Sequence, residues 1–444
     1  MVGDEQLLRE IGRELHAALP RTSRNPVKVI DARAMELASR DAELRAALFR
    51  LVDVTPACRS LDDLARHLRA YIDGVGEHPP PIAAAMKMSG NPPGRRALGA
   101  AAAAGVRHMG QRFIVGDSPR AAGRVLRELW DGGTACSVDL LGEATVTREE
   151  ADRYAERCHG ALDELAEVTR SWPEKPALES DSVGRLPRVN LSVKVSALTP
   201  MMRPGAPEVG SRDAAARMRP LLRQARDLEA HLHIDMESVD ALETTIELVF
   251  DLLSEDEFRD GPSAGVVLQA YLRESPEQLD RLLEWAAAAD RSTPLTVRLV
   301  KGAYWDHEIV EARSHGWVPP VFEVKAESDR NFEALTARLL DARPLVRVAI
   351  ASHNLRSVAH AIAHNRTTGG GDRDLELQIL RGLGDELQAS LAANGLRVRA
   401  YCPVGDLVAG MAYLVRRLLE NTSNDSFLGD QQRGTPIEEL LAVP

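Results

Sequence analysis

The segment Val297-Arg-Leu-Val-Lys-Gly-Ala-Tyr-Trp-Asp306 changes character halfway along. Its first half follows Pro294 and is apolar with β-branched residues, which predicts a buried strand. Its second half carries cations, a glycine and two aromatic rings before a helical pattern begins at Asp306. Such a strand end makes a poor core and a good binding edge, because Gly302 lets a ligand approach the backbone closely. The alternative interpretation is an ordinary strand end whose charges are solvated.

The composition of the whole chain limits its class. The 444 residues are 44% hydrophobic and carry a formal net charge of −11, so the sequence does not indicate a general nucleic-acid binder. The first residues lack the basic-then-apolar order of a signal peptide, and no apolar run reaches the roughly 18–20 residues that span a bilayer. The four cysteines are scattered, which argues against a disulfide scaffold or a structural zinc site and predicts a cytoplasmic protein. Peripheral binding to a membrane surface stays open.

The first third of the chain has the apolar spacing of helices. Leu61, Leu64 and Leu68 recur at helical spacing, and a further helix is predicted from Ser118 to Trp130 with Ser118 as its cap. From about residue 135 a strand and then a helix alternate eight times. The predicted strands are 135–141, 189–195, 231–237, 264–270, one from Val297, 345–351, 375–380 and 396–402. The predicted helices between and after them include 148–170, 212–230, 239–253, 276–289, 323–340, 355–364, 385–393 and 407–420.

Eight strands alternating with helices predict a (β/α)8 TIM-like barrel of the α/β class with an N-terminal helical arm. A doubly wound open sheet is the competing interpretation. Polar residues end nearly every strand, and in a barrel all these ends face one mouth, where active sites are built. We therefore predict a helical arm and linker over residues 1–115, a barrel over 116–430, and a C-terminal tail or linker over 431–444.

Two sets of polar residues are candidates for binding. Arg416 and Arg417 lie in a helical pattern, and two guanidinium groups suit a carboxylate, although a solvated helix face explains the same pattern. A second set, on predicted strand ends, has the donor types of a metal site. It consists of His233, Asp235, Glu237 and His353. The several cations expected at the same mouth would compensate these acids without a metal, so we predict none.

Several segments together resemble the proline dehydrogenase domain of the PutA family. They occur in the family's order and cover about residues 80–430. The segments are Leu191-Ser-Val-Lys-Val-Ser-Ala197, Ile234-Asp-Met-Glu-Ser238, Gln269-Ala-Tyr271, Arg298-Leu-Val-Lys-Gly-Ala-Tyr-Trp-Asp306, Ser352-His-Asn354, Tyr401-Cys-Pro-Val-Gly405 and Tyr413-Leu-Val-Arg-Arg-Leu-Leu-Glu-Asn421. The resemblance implies a flavoenzyme that oxidises L-proline to 1-pyrroline-5-carboxylate by hydride transfer to N5 of FAD, the first step of proline catabolism to glutamate.

The resemblance also implies roles for individual residues. Arg416 and Arg417 would clamp the proline carboxylate, with Lys194 and Asp235 near it. Tyr304, Leu380 and Tyr401 would wall the proline ring, and Glu143 would pair with the arginines as part of a lid. The implied FAD contacts are Gln269, Arg298, Val300, Lys301, Gly302, Trp305, Lys325, Ser352, His353, Asn354, Gln378 and Glu420. Ser352 stands where the family leads us to expect a threonine, and Arg381 stands where a histidine is common.

Partners follow from the same resemblance. A membrane quinone would reoxidise the flavin, and bifunctional relatives continue into an aldehyde dehydrogenase domain, so such a domain or partner is expected. The acidic opening helices differ from the DNA-binding domain of trifunctional relatives, so we expect no nucleic-acid binding. Self-association into a homo-oligomer is left open. The rival hypotheses are a metal-dependent barrel hydrolase or lyase that uses the four-residue metal set, and a non-catalytic regulatory protein.

Overall fold

The computed structural model describes residues 2–20, 42–75, 83–84, 86–87, 90–142, 144–406, 410 and 434–444. Within these ranges, eight parallel strands follow one another around a closed barrel in the order of the sequence, and β8 pairs with β1. This confirms the predicted (β/α)8 barrel and excludes the open sheet. The strands are β1 Thr134–Leu140, β2 Asn190–Lys194, β3 His231–Asp235, β4 Ser263–Gln269, β5 Leu295–Val300, β6 Val346–Ala351, β7 Leu375–Leu380 and β8 Val398–Val404.

The helices before the barrel form the predicted arm and the first helix against the strands. They are α1 Val2–Ala17, α2 Ala42–Val54, α3 Leu61–Ile72, α4 Pro92–Phe113 and α5 Pro119–Asp131. Ser118 caps α5 as predicted, because its hydroxyl accepts the Ala121 amide at 3.1 Å. None of the described helices combines the length and the apolar character that a membrane span requires.

The helices within and after the barrel surround the strands. They are α6 Arg148–Thr169, the short α7 Pro176–Glu179 and α8 Val195–Leu198, α9 Pro207–Asp227, α10 Val239–Leu253, α11 Ser275–Ala288, α12 Trp305–Ser314, α13 Lys325–Asp341, α14 Leu355–Thr367, α15 Asp385–Ala393 and the short α16 Ile437–Leu440. Their inner faces pack on the outer side of the barrel in one continuous apolar core.

Most predicted boundaries agree with the structure to within a few residues, and β8 shows why some do not. We predicted this strand over 396–402, but it runs from Val398 to Val404. The Leu396 amide instead donates to the Leu391 carbonyl at 3.2 Å and finishes the preceding helix. At the other end, the Leu141 amide donates to the Val404 carbonyl at 2.8 Å, which prolongs the pairing with β1. Tertiary pairing, not local composition, therefore sets the limits of this strand.

The inside of the barrel is unusually polar. Arg298 and Arg399 on different strands are 4% and 3% exposed, and hydroxyl, amide and carboxylate side chains surround them. Burying a charge is costly unless a partner compensates it, so each of these groups must be paired. Apolar packing is concentrated between the strands and the helices, while the lumen is organised by hydrogen bonds and ion pairs.

The two ends of the described chain meet on one flank of the barrel. Arg356 on α14 is buried and donates to Glu5 of α1 at 3.0 Å, to Glu333 of α13 at 2.8 Å and to the Leu441 carbonyl at 2.8 Å. The Leu441 side chain packs so closely on α1 that a Cβ added at Gly12 would lie 2.6 Å from it. Residues 434–444 are thus held against α1. The predicted domain limits near residues 115 and 430 remain a prediction.

Candidate active site

Arg298 on β5 is the centre of the mouth, which we define as the C-terminal ends of the strands. Its Nε donates to Gln378 Oε1 of β7 at 2.6 Å, and its Nη1 donates to Asp235 Oδ1 of β3 at 2.6 Å. The remaining N–H groups point at the hydroxyls of Ser137 on β1 and Ser192 on β2, at 3.4 Å each. One guanidinium therefore spans the lumen and joins five strands, as alternation along each strand requires of inward-facing residues.

Asp235 and Tyr401 extend this network. The Tyr401 hydroxyl donates to Asp235 Oδ2 at 2.7 Å, and the Arg298 guanidinium lies 5.3 Å from the centre of the Tyr401 ring. Burial, followed by the nearby carboxylates of Asp139 and Asp235, raises the pKa of Tyr401 well above its ordinary value. Tyr401 is therefore a protonated donor at physiological pH, and the structure brings three predicted site residues into direct contact.

Lys194 at the end of β2 has a partner on β1. Its ammonium group forms an ion pair with Asp139, whose side chain is 1% exposed. Burial alone would lower the pKa of Lys194, but Asp139 and Asp235 outweigh it and raise the pKa above its ordinary value. Lys194 is thus a fixed cation beside the Arg298 network. Because Asp139 compensates its charge, the main contribution that Lys194 can make to a ligand is a hydrogen bond donor.

Lys301 and Lys325 converge on one acid, Asp329 of α13. Lys301 forms an ion pair with Asp329, and Lys325 Nζ lies 2.6 Å from the other carboxylate oxygen. Burial alone would raise the pKa of Asp329, but Lys301 and Lys325 lower it below its ordinary value. Two cations on one carboxylate leave a net positive site, which suits an anion such as a phosphate. The sequence predicted both lysines and missed Asp329, although its i+4 spacing from Lys325 on a helix was a usable signal.

Gly302 follows β5 in a conformation that requires glycine. Its φ is +131°, and an added Cβ would lie 2.4 Å from the Tyr271 ring. Trp305 begins α12 with a 40% exposed side chain, and its indole N–H donates to the Phe322 carbonyl at 2.9 Å. Tyr304 just before it is half-buried, as is Val300. The predicted binding edge is therefore a tight, glycine-dependent turn that presents aromatic rings beside the mouth.

The remaining predicted cofactor residues that the structure describes lie at two further strand ends, those of β4 and β6. His353 Nε2 accepts the Leu380 amide at 3.0 Å, which links the ends of β6 and β7. Ser352 and Asn354 shape the start of α14: the Ser352 hydroxyl accepts the Asn354 amide at 3.1 Å, and the Asn354 side chain caps the helix. Gln269 on β4 donates to the Glu237 carbonyl at 3.0 Å. Several side chains that were predicted to contact a cofactor thus also form hydrogen bonds that hold the strand ends and the start of α14 in place.

Four predicted site residues lie outside the described residues. They are Glu143, Arg416, Arg417 and Glu420. An anion would need free backbone amides in the turn after β7, residues 381–384, and those amides are already engaged within the protein. The Gly382 amide donates to Asp385 at 2.9 Å, and the Gly382 carbonyl accepts Arg112 of the arm. This turn is a docking point for α4 rather than an anion site.

The proposed metal set does not assemble. Among the described residues, His233, Asp235, Glu237 and His353 do not bring three ligand atoms within 4.8 Å of one another. Instead Asp235 is held by Arg298, and the Glu237 carboxylate accepts the Ser196 hydroxyl at 2.8 Å. The group that does come this close is Cys58, Asp63 and His67 on the arm, where the Asp63 oxygens already accept Arg66 and the Arg59 amide.

The protein is an α/β barrel, and the polar mouth at the C-terminal ends of its strands is its candidate ligand site. The sequence pattern described as "Proline dehydrogenase" matches residues 122–430, and that described as "Proline utilization A N-terminal domain" matches residues 5–113. The chain belongs to the proline dehydrogenase family, whose members are oxidoreductases.

Individual relatives agree with this assignment. The bifunctional protein PutA of Salmonella typhimurium is 33% identical over 347 residues, which cover 76% of this chain and 25% of that protein. Proline dehydrogenase 1 of Bacillus subtilis is 26% identical over 332 residues, or 74% of this chain and 92% of that protein. The chain therefore spans about a quarter of the length of the PutA relatives.

Solved structures show the same arrangement over nearly the whole chain. Proline utilization A from Bdellovibrio bacteriovorus, inactivated by N-propargylglycine, superposes with a TM-score of 0.90 at 34% identity and covers 99% of this chain and 44% of its own. The Bradyrhizobium japonicum protein, as the D779W mutant, gives a TM-score of 0.75 at 26% identity and covers 100% of this chain and 46% of its own.

Proposed function

We propose that this chain is an FAD-dependent proline dehydrogenase that oxidises L-proline to 1-pyrroline-5-carboxylate. The observation that carries the proposal is the Arg298 network at the mouth of a chain that belongs to the proline dehydrogenase family. In this network Arg298 Nη1 lies 2.6 Å from Asp235 Oδ1, and the Tyr401 hydroxyl lies 2.7 Å from Asp235 Oδ2. Such a network fixes charge and hydrogen bond donors before any ligand arrives. A preorganised polar mouth suits a reaction in which positioning dominates the rate.

The donor set fits a flavin dinucleotide. Lys301 and Lys325, gathered on Asp329, would face the pyrophosphate, and Gly302 would leave room for it beside the backbone. Arg298 would lie near the ring system, where a cation stabilises an anionic reduced flavin. The further residues expected to hold the cofactor are Gln269, Val300, Trp305, Ser352, His353, Asn354, Gln378 and Glu420. When bound, the flavin accepts the hydride that leaves C5 of proline.

The substrate carboxylate needs cations that are not already compensated. Lys194 is paired with Asp139, and Arg298 is paired with Asp235, so each of these cations already has a carboxylate as its counter-ion. Charge balance therefore favours Arg416 and Arg417, which can each grip a carboxylate with two parallel N–H groups. Lys194 would add one donor to the same carboxylate.

The proline ring needs walls that orient C5 and exclude water. Tyr401 has a hydroxyl that is fixed on Asp235, so its ring is held in one orientation. Leu380 is half-buried beside it across the β7–β8 pairing, and Tyr304 is half-buried after β5. Together these residues would enclose a small cyclic amino acid. Glu143 would close the site by pairing with the arginines.

The electron acceptor and further partners extend the proposal. A membrane quinone would take the electrons, which implies peripheral contact of a cytoplasmic protein with a membrane. A partner or domain with aldehyde dehydrogenase activity would consume the product, in keeping with the relatives named bifunctional. These features rest on family resemblance, and the mouth geometry supports only the flavin and proline sites.

An anaerobic titration with L-proline, followed by visible absorbance, tests the proposed activity. The purified protein is expected to be yellow and to bleach with proline, whereas L-valine, which has no ring, is the control and leaves the spectrum unchanged. Bound zinc without flavin would support the hydrolase or lyase hypothesis. A flavin that proline does not bleach would support the regulatory hypothesis. Either outcome contradicts the proposal.

A further inference from the structure

A line of hydrogen bonds leads from inside the barrel up to Arg298. Arg399 on β8 forks onto Glu376 of β7, with Nε–Oε1 at 2.9 Å and Nη2–Oε2 at 3.0 Å. Glu376 Oε1 also accepts Gln378 Nε2 at 2.7 Å, and Gln378 Oε1 accepts Arg298 Nε at 2.6 Å. All four side chains are buried, with residue exposures between 3% and 5%. The line therefore links an interior ion pair to the mouth through one amide.

The direction of each bond is fixed by chemistry. A guanidinium only donates and an ionised carboxylate only accepts, whereas an amide does both. Gln378 must therefore turn its NH2 group to Glu376 and its carbonyl to Arg298. The opposite orientation would set N–H against N–H at Arg298 and oxygen against oxygen at Glu376. The carboxylate of Glu376 thus decides which end of the amide Arg298 meets.

Glu376 keeps its charge because of its partners. Burial alone would raise the pKa of Glu376, but the charges of Arg399 and Arg397, together with hydrogen bonds from Arg399 and Gln378, lower it well below its ordinary value. Arg399 is itself secured, since its Nη1 donates to the Cys136 carbonyl at 2.9 Å. Hydrogen bonds hold the pair in place and it stays ionised, so the Glu376 carboxylate remains an acceptor for the Gln378 amide.

We propose that Glu376 and Arg399 are positioning residues, which hold the Gln378 amide in one orientation and thereby place the Arg298 guanidinium at the mouth. Neither residue reaches the mouth itself, and neither was among the residues predicted from the sequence. The expected effect on the rate of flavin reduction rests on the proposed function. The expected effect on the position of the Arg298 guanidinium does not depend on that function.

The paired substitution E376L/R399L removes both charges of the interior ion pair, and Arg397, whose charge also faces Glu376, keeps Asp181 as a partner at 3.4 Å. Gln378 Nε2 then loses its acceptor, and a buried amide without a partner rearranges to find one. The matched control is E179L/R188L, which replaces another Glu–Arg pair of the barrel periphery, joined through Arg188 Nε and Glu179 Oε1. E376D is a milder variant that keeps the charge and draws the carboxylate back from Gln378 by one methylene.

Crystal structures of these variants provide a readout that does not depend on activity. We expect the Arg298–Gln378 contact of 2.6 Å to open beyond hydrogen bond distance in E376L/R399L and to lengthen in E376D, and to persist in the control. If Arg298 keeps its place in both E376 variants, the positioning role is wrong. E376D is expected to fold because it retains the ion pair, so the inference remains testable even if the paired variant does not fold.

Kinetics then separate a positioning role from a purely structural one. We expect the rate of proline-dependent flavin reduction to fall about tenfold in E376L/R399L and in Q378L, as for one lost hydrogen bond at the mouth. Combining all three substitutions should add nothing further, because both changes act through the same amide. Additive losses would overturn the proposal. A wild-type protein that proline does not reduce would instead refute the proposed function, and the crystal structures would still decide the place of Arg298.

Discussion

Asp235 on β3 and Arg298 on β5 form an ion pair across the mouth of the barrel, with 2.6 Å between Oδ1 and Nη1. The side chains are 12% and 5% exposed, so water screens the pair only slightly. The second oxygen of Asp235 accepts Tyr401, and the other N–H groups of Arg298 are engaged on β1, β2 and β7. The side chains at the mouth therefore form one connected hydrogen bond network. We expect that removing one of its contacts also weakens the others.

The substitution D235N tests this unit. Removing the charge of Asp235 leaves Arg298 buried without its counter-ion, which costs about 3–5 kcal/mol of unfolding free energy. Urea unfolding measures the loss, and proline-dependent flavin reduction should fall in parallel. The control D251N changes an exposed aspartate and should shift stability by less than about 0.5 kcal/mol. Equal stability of the two variants would show that Arg298 does not depend on Asp235.

Gly302 provides a second test, of the turn after β5. In G302A the new methyl group would meet the Tyr271 ring, and the backbone would keep a φ of +131° that alanine disfavours. We expect a loss of about 1–3 kcal/mol in unfolding free energy and less bound flavin per protein. G205A is the control, because nothing lies within 4 Å of the position of its added Cβ. Full flavin content in G302A would contradict a cofactor site at this turn.

The buried histidines predict a dependence of stability on pH. Burial, followed by the charge of Arg399, lowers the pKa of His231 to about 3, and burial and Arg298 lower that of His233 well below its ordinary value. An unfolded histidine has a pKa of about 6.5, so below that pH the unfolded chain binds protons that the folded chain refuses. The free energy of unfolding should therefore fall as the pH is lowered through about 6.5, with a slope that approaches about 1.4 kcal/mol per pH unit for each histidine well below that pH.

The variant H231Q isolates this effect. Its slope of unfolding free energy against pH, measured between about pH 5 and 6.5, should be shallower by about 1 kcal/mol per pH unit than that of the wild type. H307Q, at an exposed histidine, should keep the wild-type slope. An unchanged slope in H231Q would mean that His231 takes up its proton in the folded protein.

Arg416 and Arg417 supply a prediction that rests on charge balance at the mouth. R416K and R417K keep the positive charge but cannot form a bidentate hydrogen bond to the proline carboxylate. The KM for proline should therefore rise about tenfold or more, while kcat changes less. Steady-state kinetics with an artificial quinone measures both constants. R373K, at an exposed arginine, is the control. An unchanged KM in both R416K and R417K would refute the carboxylate clamp.

The sequence predicted the elements better than the contacts between them. Repeated apolar segments and the Ser118 cap located the strands and α5, because these signals are local. Alternation in Leu375-Glu-Leu-Gln378 already indicates that Glu376 and Gln378 share one face of β7. Which groups they meet depends on the pairing of β7 with β8 and on reaching β5 across the lumen, about 80 residues away. No local pattern specifies such a partner, so Glu376 and Arg399 were missed.

The polar lumen has a consequence for how such a sequence can vary. Three pairs of opposite charges lie there: Glu376 with Arg399, Asp235 with Arg298, and Asp139 with Lys194. A lone replacement strands its counterpart in a dry interior, whereas a joint replacement does not. Substitutions of these charged residues are therefore expected to accumulate in pairs during evolution. Chimaeras of homologous sequences that are joined between β7 and β8 should be inactive more often than chimaeras that take both strands from the same parent.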